Sequence, residues 1–480
     1  VPNSVAAPSP AHTTIFRAIA VFLSFPMVLA GCSSVQQVRN LVTGPPSPYL
    51  SGYIGNVVAD EPVAALAGRD VLARGGNAAD AAAAVGMALA VTLPSRASLG
   101  GGGACLAYRA GDRQGPTAFL FTPIAGSAAT GPDGRPAAVP MTARGLFLMQ
   151  ARYGSVTFDD LVKPAARLAR SGITVSRALA DDLEAVSGPL LADQAASAIF
   201  ARPGSSGPVQ AGDQLVQPDL ANTLDRIALS GVGDLYTGLL WQSFADGAAQ
   251  AHGGLSASDI RSAVPGEGAP LQIAAGADTV AFLPPPADGG LGAAAAFRAI
   301  QAGGSPDGVA EAAVSVWRAS HPAGAGNADL AGEAQAMVEP SGGGAGLGRL
   351  PASTAFTVID RKGGAVACAL TMDNLFGTGR IAGTTGIVLG ASPARLPTPL
   401  LAAAIAWTPS AGTLRAAVAG SGQNQAAEAV ALATSNVLRG QPAAPVTETG
   451  RVNAISCPRG QDRCTARADP RGDGLATRSD

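Results

Sequence analysis

Ser353-Thr354-Ala355-Phe356-Thr357-Val358-Ile359-Asp360, then Arg361-Lys362-Gly363-Gly364, then Ala365-Val366-Ala367-Cys368-Ala369-Leu370-Thr371-Met372 reads as a strand, a turn and a returning strand. The first run is rich in β-branched and aromatic residues, and the Lys-Gly-Gly punctuation suits a hairpin connection. A turn centred on Lys362-Gly363 pairs Ser353 with Met372 and Thr354 with Thr371. Thr371 then stands beside the start of the first strand, and hydroxyls meet at the open end of the hairpin. Residues 340–351, just upstream, carry glycine at 342, 343, 344, 346 and 348, a composition that cannot hold regular structure.

Further upstream the pattern is helical. Asp60-Glu61-Pro62 is a helix start with acids and a proline at the first turn, and Gly75-Gly76 stops that helix. Asn77 caps a second helix carrying Val85, Met87, Leu89 and Val91, which Pro94 ends. Leu99-Gly100-Gly101-Gly102-Gly103 then leads into a strand through Tyr108. That glycine run lacks the Lys-Ser/Thr that follows in a phosphate-binding loop, which argues against a nucleotide site. Residues 142–153, 158–170, 176–186, 219–230 and 235–251 read as helices, and 280–283 as a short strand running into Pro284-Pro285-Pro286.

The 480-residue chain has ample material for a core, with 47% hydrophobic residues. Charged residues make up 14%, below the roughly 25% of an average globular chain. Thirty-two basic against 34 acidic residues give a net charge of −2, which offers no footprint for nucleic acid. Histidine is scarce: His12, His252 and His321. No His, Cys and acidic residues share metal-ligand spacing, so neither metal nor cofactor is expected. A serine–histidine–acid triad would have to recruit His252 or His321, so the chemistry is expected to do without histidine.

Residues 15–30 form an interrupted apolar stretch ending in Leu29-Ala30-Gly31-Cys32, the size of a signal-peptide core rather than a membrane span. Leu-Ala-Gly-Cys resembles the bacterial lipobox, whose cysteine becomes lipidated. Residues 1–31 are thus expected to be a lipoprotein signal peptide and 32–52 a tether. The mature chain would be exported and anchored by lipid at Cys32 on the periplasmic side of a bacterial cell envelope. Cys105 and Cys368 fall in apolar runs and read as buried small hydrophobes. Cys457 and Cys464 can close a small local loop in such a compartment, though spacing alone does not decide it.

Several ordered blocks resemble the gamma-glutamyltransferase family of N-terminal-nucleophile hydrolases. They are Gly75-Gly76-Asn77-Ala78-Ala79-Asp80-Ala81-Ala82, the glycine run at 100–103, and Tyr153-Gly154 through Phe158-Asp159-Asp160-Leu161-Val162-Lys163-Pro164-Ala165. Leu215-Val216-Gln217-Pro218-Asp219-Leu220-Ala221-Asn222-Thr223-Leu224, Pro284-Pro285-Pro286 with Gly289-Gly290, and Phe376-Gly377-Thr378-Gly379 complete the set. The resemblance implies an α+β fold, a four-layer αββα sandwich made as one precursor and cut by its own nucleophile. The large-subunit-like region would be 53–352 and the small-subunit-like region 353–480.

By that resemblance the cut falls between Ala352 and Ser353. Ser353 becomes the nucleophile, with its freed α-amine as base. Thr354 is the fallback if the correspondence slips by one. Thr371 takes the place of a family threonine that hydrogen-bonds the nucleophile. The expected partners are a small amide or peptide substrate, glutathione-like in the family, and the two pieces of the precursor itself. Departures fall on the substrate contacts. Thr122 replaces an arginine that holds the glutamyl α-carboxylate, and Asp373 replaces a substrate-binding asparagine. Ser392 and Arg395 stand where acidic and amide groups grip the α-amino group, so a cation replaces an acid, and Arg395 would suit an acid where the family binds an amine. Leu401-Ala402 replaces a serine pair, and the oxyanion positions read Gly422, Gln423 and Asn424. Each charged hydrogen bond lost is worth roughly 1.5–3 kcal/mol, so a changed acyl group is expected. The alternative is a catalytically degenerate relative serving as a structural or binding lipoprotein.

Overall fold

The structure is a computed structural model that describes residues 49–130, 134–321, 330–338, 352–394, 397–422, 424–443, 447, 449–458, 460 and 463–477. The expected leader, Cys32, Arg395 and Gln423 lie outside the described residues. Two antiparallel sheets stack face to face. In spatial order, the first consists of Leu475–Ala476, Gly55–Ala59, Ser353–Asp360, Ala365–Thr371, Gly102–Tyr108, Thr117–Phe121 and Gly266–Gly268. The second consists of Thr465–Arg467, Arg451–Ser456, Thr413–Ser421, Ala402–Thr408, Asp278–Phe282 and Leu271–Ala275.

Three apolar clusters separate four layers. Val58, Ala104, Ala355, Ala369, Leu401, Ile405 and Ala417 fill the space between the sheets. Phe356, Val358, Cys368 and Leu370 face the other way, onto the helices Pro62–Ala73 and Ala78–Thr92 and their neighbours. Helices Gly289–Gln301, Val309–Ser320 and Gln425–Leu438 cover the far side of the second sheet. This is the expected αββα sandwich. Strands covered on both faces read as continuous apolar runs, which is why the sequence shows little alternation there.

Local chemistry accounts for the helix starts. Asn77 accepts from the N–H groups of Ala79 and Asp80 while Asp80 accepts from Asn77, a reciprocal cap. Asp80 is fully buried and also accepts from Gln150 Nε2 at 2.9 Å and Ser155 Oγ at 2.7 Å. The first and third family-like blocks therefore meet as a hydrogen-bonded support. The expected 235–251 helix is two helices, Asp234–Thr237 and Leu239–Gln250, because Gly238 leaves helical geometry between them.

The hairpin register differs from the expectation by one residue. Ser353 pairs with Thr371 and Thr354 with Leu370. Three residues, Arg361 to Gly363, form the connection, with Gly363 at φ 88° and Asp360 Oδ1 accepting from the N–H groups of Lys362 and Gly364. Asp360 thus takes the place of a two-residue turn's geometry. Cys105 and Cys368 are not separate buried thiols: they face each other across adjacent strands and are disulfide-bonded. Chain positions 263 apart carry no sequence signal of that pairing. Cys457 and Cys464 form the local bridge.

Candidate active site

Ser353 opens a central strand, with its side chain toward the gap between the sheets and 1% exposed. The peptide just before it is the focus of the site. Thr371 Oγ1 donates to the Ala352 carbonyl at 2.8 Å, and the Met372 N–H donates to the same oxygen at 3.3 Å. Two donors on one carbonyl polarise it and would hold negative charge developing there. From the second sheet, the Gly422 N–H donates to Ser353 Oγ at 3.3 Å. Gly422 sits at φ 101°, where a Cβ would lie 2.5 Å from the Thr449 carbonyl oxygen, so glycine is required.

Thr371 is thus placed differently from the sequence expectation. Its hydroxyl points at the carbonyl of the Ala352–Ser353 peptide rather than at the serine hydroxyl, and it also accepts from the Asp373 N–H at 2.8 Å. Thr371→Val removes the donor while keeping the shape. Cleavage of the 352–353 peptide is then expected to slow about 10²–10³-fold, with Thr371→Ser retaining most of the rate. The time course of a new amino terminus at Ser353 checks this.

Thr354, the fallback, is committed elsewhere. Its hydroxyl donates to Asp60 Oδ2 at 3.1 Å, and the Ala355 N–H donates to the same oxygen at 2.9 Å. Asn453 Nδ2 donates to Asp60 Oδ1 at 2.8 Å and to the Ala355 carbonyl at 2.7 Å. Asp60 and Asn453 therefore clamp the strand that presents Ser353. Sequence reasoning missed both: Asp60 reads as part of a helix start, yet Glu61 makes that cap and frees Asp60. Nothing local marks Asn453.

Among the described residues, neither His252 nor His321 makes a hydrogen bond to the site. His321 Nε2 lies 2.7 Å from Glu333 and its Nδ1 lies 3.0 Å from Ser320 Oγ, an arrangement that looks triad-like. However, the Ser320 hydroxyl is bonded to the Val316 and Trp317 carbonyls of its own helix.

Asp373 is 4% exposed, and its carboxyl oxygens make no hydrogen bond of ordinary geometry, although the Thr398 side chain lies close enough to act on them. Its backbone is left-handed at φ 59°. Burial pushes its carboxyl up to about 8, with the Thr398 side chain and the Arg318 charge pulling the other way. Arg318 is paired with Asp288 at 2.6 and 2.9 Å and donates to the Thr398 carbonyl at 2.7 Å. Asp288 lies just before the Gly289-Gly290 pair, in the stretch that follows the triple proline.

Because the native carboxyl titrates near 8 and an unfolded one near its ordinary 3.8, the native state holds the extra proton between those values. Stability from this group is complete below about pH 4 and is lost as pH rises through 8. Asp373→Asn is therefore expected to raise Tm by a few degrees at pH 8.5 and by much less at pH 4.5. Paired thermal melts read the difference.

Among the described residues, the remaining substrate positions are neutral or apolar. Leu401 and Ala402 are fully buried, Thr122 and Ser392 are buried hydroxyls, and Ser421 Oγ has no partner. Among the described residues no group of His, Cys, Asp and Glu could hold a metal.

Residues 64–311 match the sequence model of the family described as gamma-glutamyltranspeptidase. The glutathione hydrolase proenzyme of Escherichia coli (strain K12) is 30% identical over 383 residues, covering 70% of this chain and 65% of that protein. The Acylase ACY 1 proenzyme of Pseudomonas sp. (strain SE83) is 32% identical over 225 residues, 43% of this chain and 40% of its own length. The chain thus spans less than two thirds of either relative. The crystal structure of cephalosporin acylase from Bacillus halodurans shares the fold, with a TM-score of 0.69 at 18% identity, covering 89% of this chain and 96% of that one. With the sandwich, the serine-led central strand and the matched 64–311 segment in agreement, the chain belongs to the gamma-glutamyltranspeptidase family.

Proposed function

We propose that the chain is a self-processing acyl-amide hydrolase or acyltransferase with Ser353 as its nucleophile. One observation carries the reading: the Ala352 carbonyl accepts from both Thr371 and Met372 beside a serine hydroxyl bonded to Gly422. In the maturation step Ser353 Oγ attacks the Ala352 carbonyl carbon, the C–N bond breaks, and the acyl group moves to oxygen. Water then cleaves that ester, leaving a carboxylate on Ala352 and a free α-amine on Ser353.

In turnover the amine takes the hydroxyl proton as Oγ attacks a substrate amide carbonyl. The proton passes to the departing amine, and the Ser353 ester is released to water or to an acceptor amine. The acyl group is that of a gamma-glutamyl amide such as glutathione, or a related acyl group. Replacement of the arginine and serine pair by Thr122 and Leu401-Ala402 favours the related group. The two products would be the part of the chain up to Ala352, which carries the tether and region 53–352, and residues 353–480; the Ser353–Asp360 strand lies between Gly55–Ala59 and Ala365–Thr371, so they remain interleaved. Export and lipid anchoring at Cys32 belong to the same reading.

Intact mass and amino-terminal sequencing of the incubated protein test it. A new terminus at Ser353 followed by release of amine from amide substrates is expected. A chain that stays whole for days overturns it in favour of a non-catalytic binding role.

A further inference from the structure

A cavity of about 250 Å3 lies at the turn end of the Ser353 hairpin, lined by Arg109, Lys362, Asp360, Tyr108, Tyr153 and Val366 among others. Asp360 ends the strand that Ser353 opens, so a rise of about 3.3 Å per residue puts roughly 23 Å between this cavity and the serine. The charges there are unbalanced. Neither Arg109 nor Lys362 has an acidic partner among the described residues. Asp360 is already satisfied: one oxygen accepts from the Lys362 and Gly364 N–H groups, the other from the Ala78 N–H at 3.1 Å. Two cations against one carboxylate leave one net positive charge, which a monoanion balances and a dianion exceeds. Arg109 is also held in place. Its guanidinium lies 4.7 Å from the centroid of the Tyr153 ring, and Nη2 donates to the Arg152 carbonyl at 3.0 Å. A guanidinium fixed this way keeps further N–H donors for a carboxylate. Ala78 and Ala79 line the cavity too, but their N–H groups are bonded to Asp360 and Asn77, so the helix start offers no donor. Anion recognition falls to the two side chains.

We infer that this cavity is a second binding site, separate from Ser353, for a small monoanion with a flat apolar body, the chemistry of an aromatic carboxylate. Tyr108, Tyr153 and Val366 supply apolar walls, and Arg109 and Lys362 supply the charge. The volume falls just below the roughly 300–1,000 Å3 of drug-sized pockets, so a single-ring ligand is the matching scale. The cavity is built to bind rather than to react. Among the described lining residues there is no Ser, Thr, Cys or His. The Tyr108 hydroxyl donates to the Asp112 carbonyl, and burial pushes it up to about 12, so it stays protonated. The Tyr153 hydroxyl is bonded to Thr117 Oγ1 at 2.8 Å. The site therefore stands apart from acyl transfer and does not depend on it.

The test uses the whole protein with four probes: benzoate (anion with a ring), benzyl alcohol (neutral), benzylamine (cation) and acetate (anion without a ring). Binding is read by titration calorimetry and as ligand-induced Tm shift at low salt. Benzoate is expected to bind at least fivefold tighter than benzyl alcohol or acetate, with benzylamine weakest, and to weaken as salt is added. Lys362→Ala and Arg109→Gln should each weaken benzoate about three- to fivefold, the scale of an exposed charge contact. The double variant should hold benzoate no better than benzyl alcohol, and Lys362→Glu should shift the preference toward benzylamine. Both side chains are exposed, so melts of the unliganded variants should match the parent and separate lost binding from lost structure. Ser353→Ala should bind benzoate as the parent does. Benzoate bound no tighter than benzyl alcohol or acetate, or equally well by the double variant, overturns the inference. Loss of benzoate binding in Ser353→Ala would place the ligand in the candidate active site and overturns it too. Amide turnover plays no part in the readout, so failure of the acyl-transfer reading leaves this site standing.

Discussion

Ser353→Ala leaves the chain whole and lowers amide turnover by roughly three orders of magnitude or more, the scale seen when an enzyme's nucleophile is removed. Two losses combine. The attacking oxygen is gone, so the 352–353 peptide cannot shift its acyl group, and without that cut no α-amine exists to act as base. The fold should survive, since the hydroxyl accepts a long hydrogen bond from Gly422. A melt matching that of the parent separates loss of chemistry from loss of structure. Ser353→Thr, which keeps the hydroxyl, should still be cut. Cleavage of the Ser353→Ala chain at the same bond would exclude serine as the agent. Thr354 would be a poor substitute because its hydroxyl is bonded to Asp60.

Cleavage should be invisible on a non-reducing gel. Cys105 lies before the cut and Cys368 after it, so their bridge joins the two products covalently. The cut protein is expected to run as one species without reductant and as two with it, once denatured. Removing the bridge should cost stability as well. It closes 263 positions of the uncut chain, a span for which loop entropy gives about 5–6 kcal/mol. The Cys105→Ala/Cys368→Ala protein should therefore melt several degrees lower and, after cutting, separate into two bands without reductant. Losing Cys457 and Cys464, which both lie in the second product, should leave the gel pattern unchanged. Two bands from the parent protein without reductant would show that Cys105 and Cys368 are not bonded. The bridge also ties the Thr371 strand to Gly102–Tyr108, so its loss should slow the cleavage time course as well.

The strongest sequence signals were local ones. An Asn77 cap, a proline at the first helical turn and a hairpin bounded by Lys-Gly-Gly each specify backbone geometry within a few residues. The helices and the Ser353–Asp360 hairpin could therefore be read directly. The ordered family-like blocks added the layer order, and they singled out Ser353 and Thr371 before any contact was known.

What the tertiary structure decided was everything that depends on residues far apart in the chain. The one-residue change of register, set by Asp360 accepting from its own turn, put Ser353 directly opposite Thr371. Asp60 and Asn453 clamp the serine strand across 393 positions of sequence, and Gly422 reaches Ser353 from the other sheet. The burial of Asp373 and the pairing of Cys105 with Cys368 belong to the same class. Capping and turn formation are decided by neighbouring residues, so sequence alone determined them. Burial, charge pairing and cross-strand bonding depend on which distant groups the packed layers bring together, and those only the folded chain could decide.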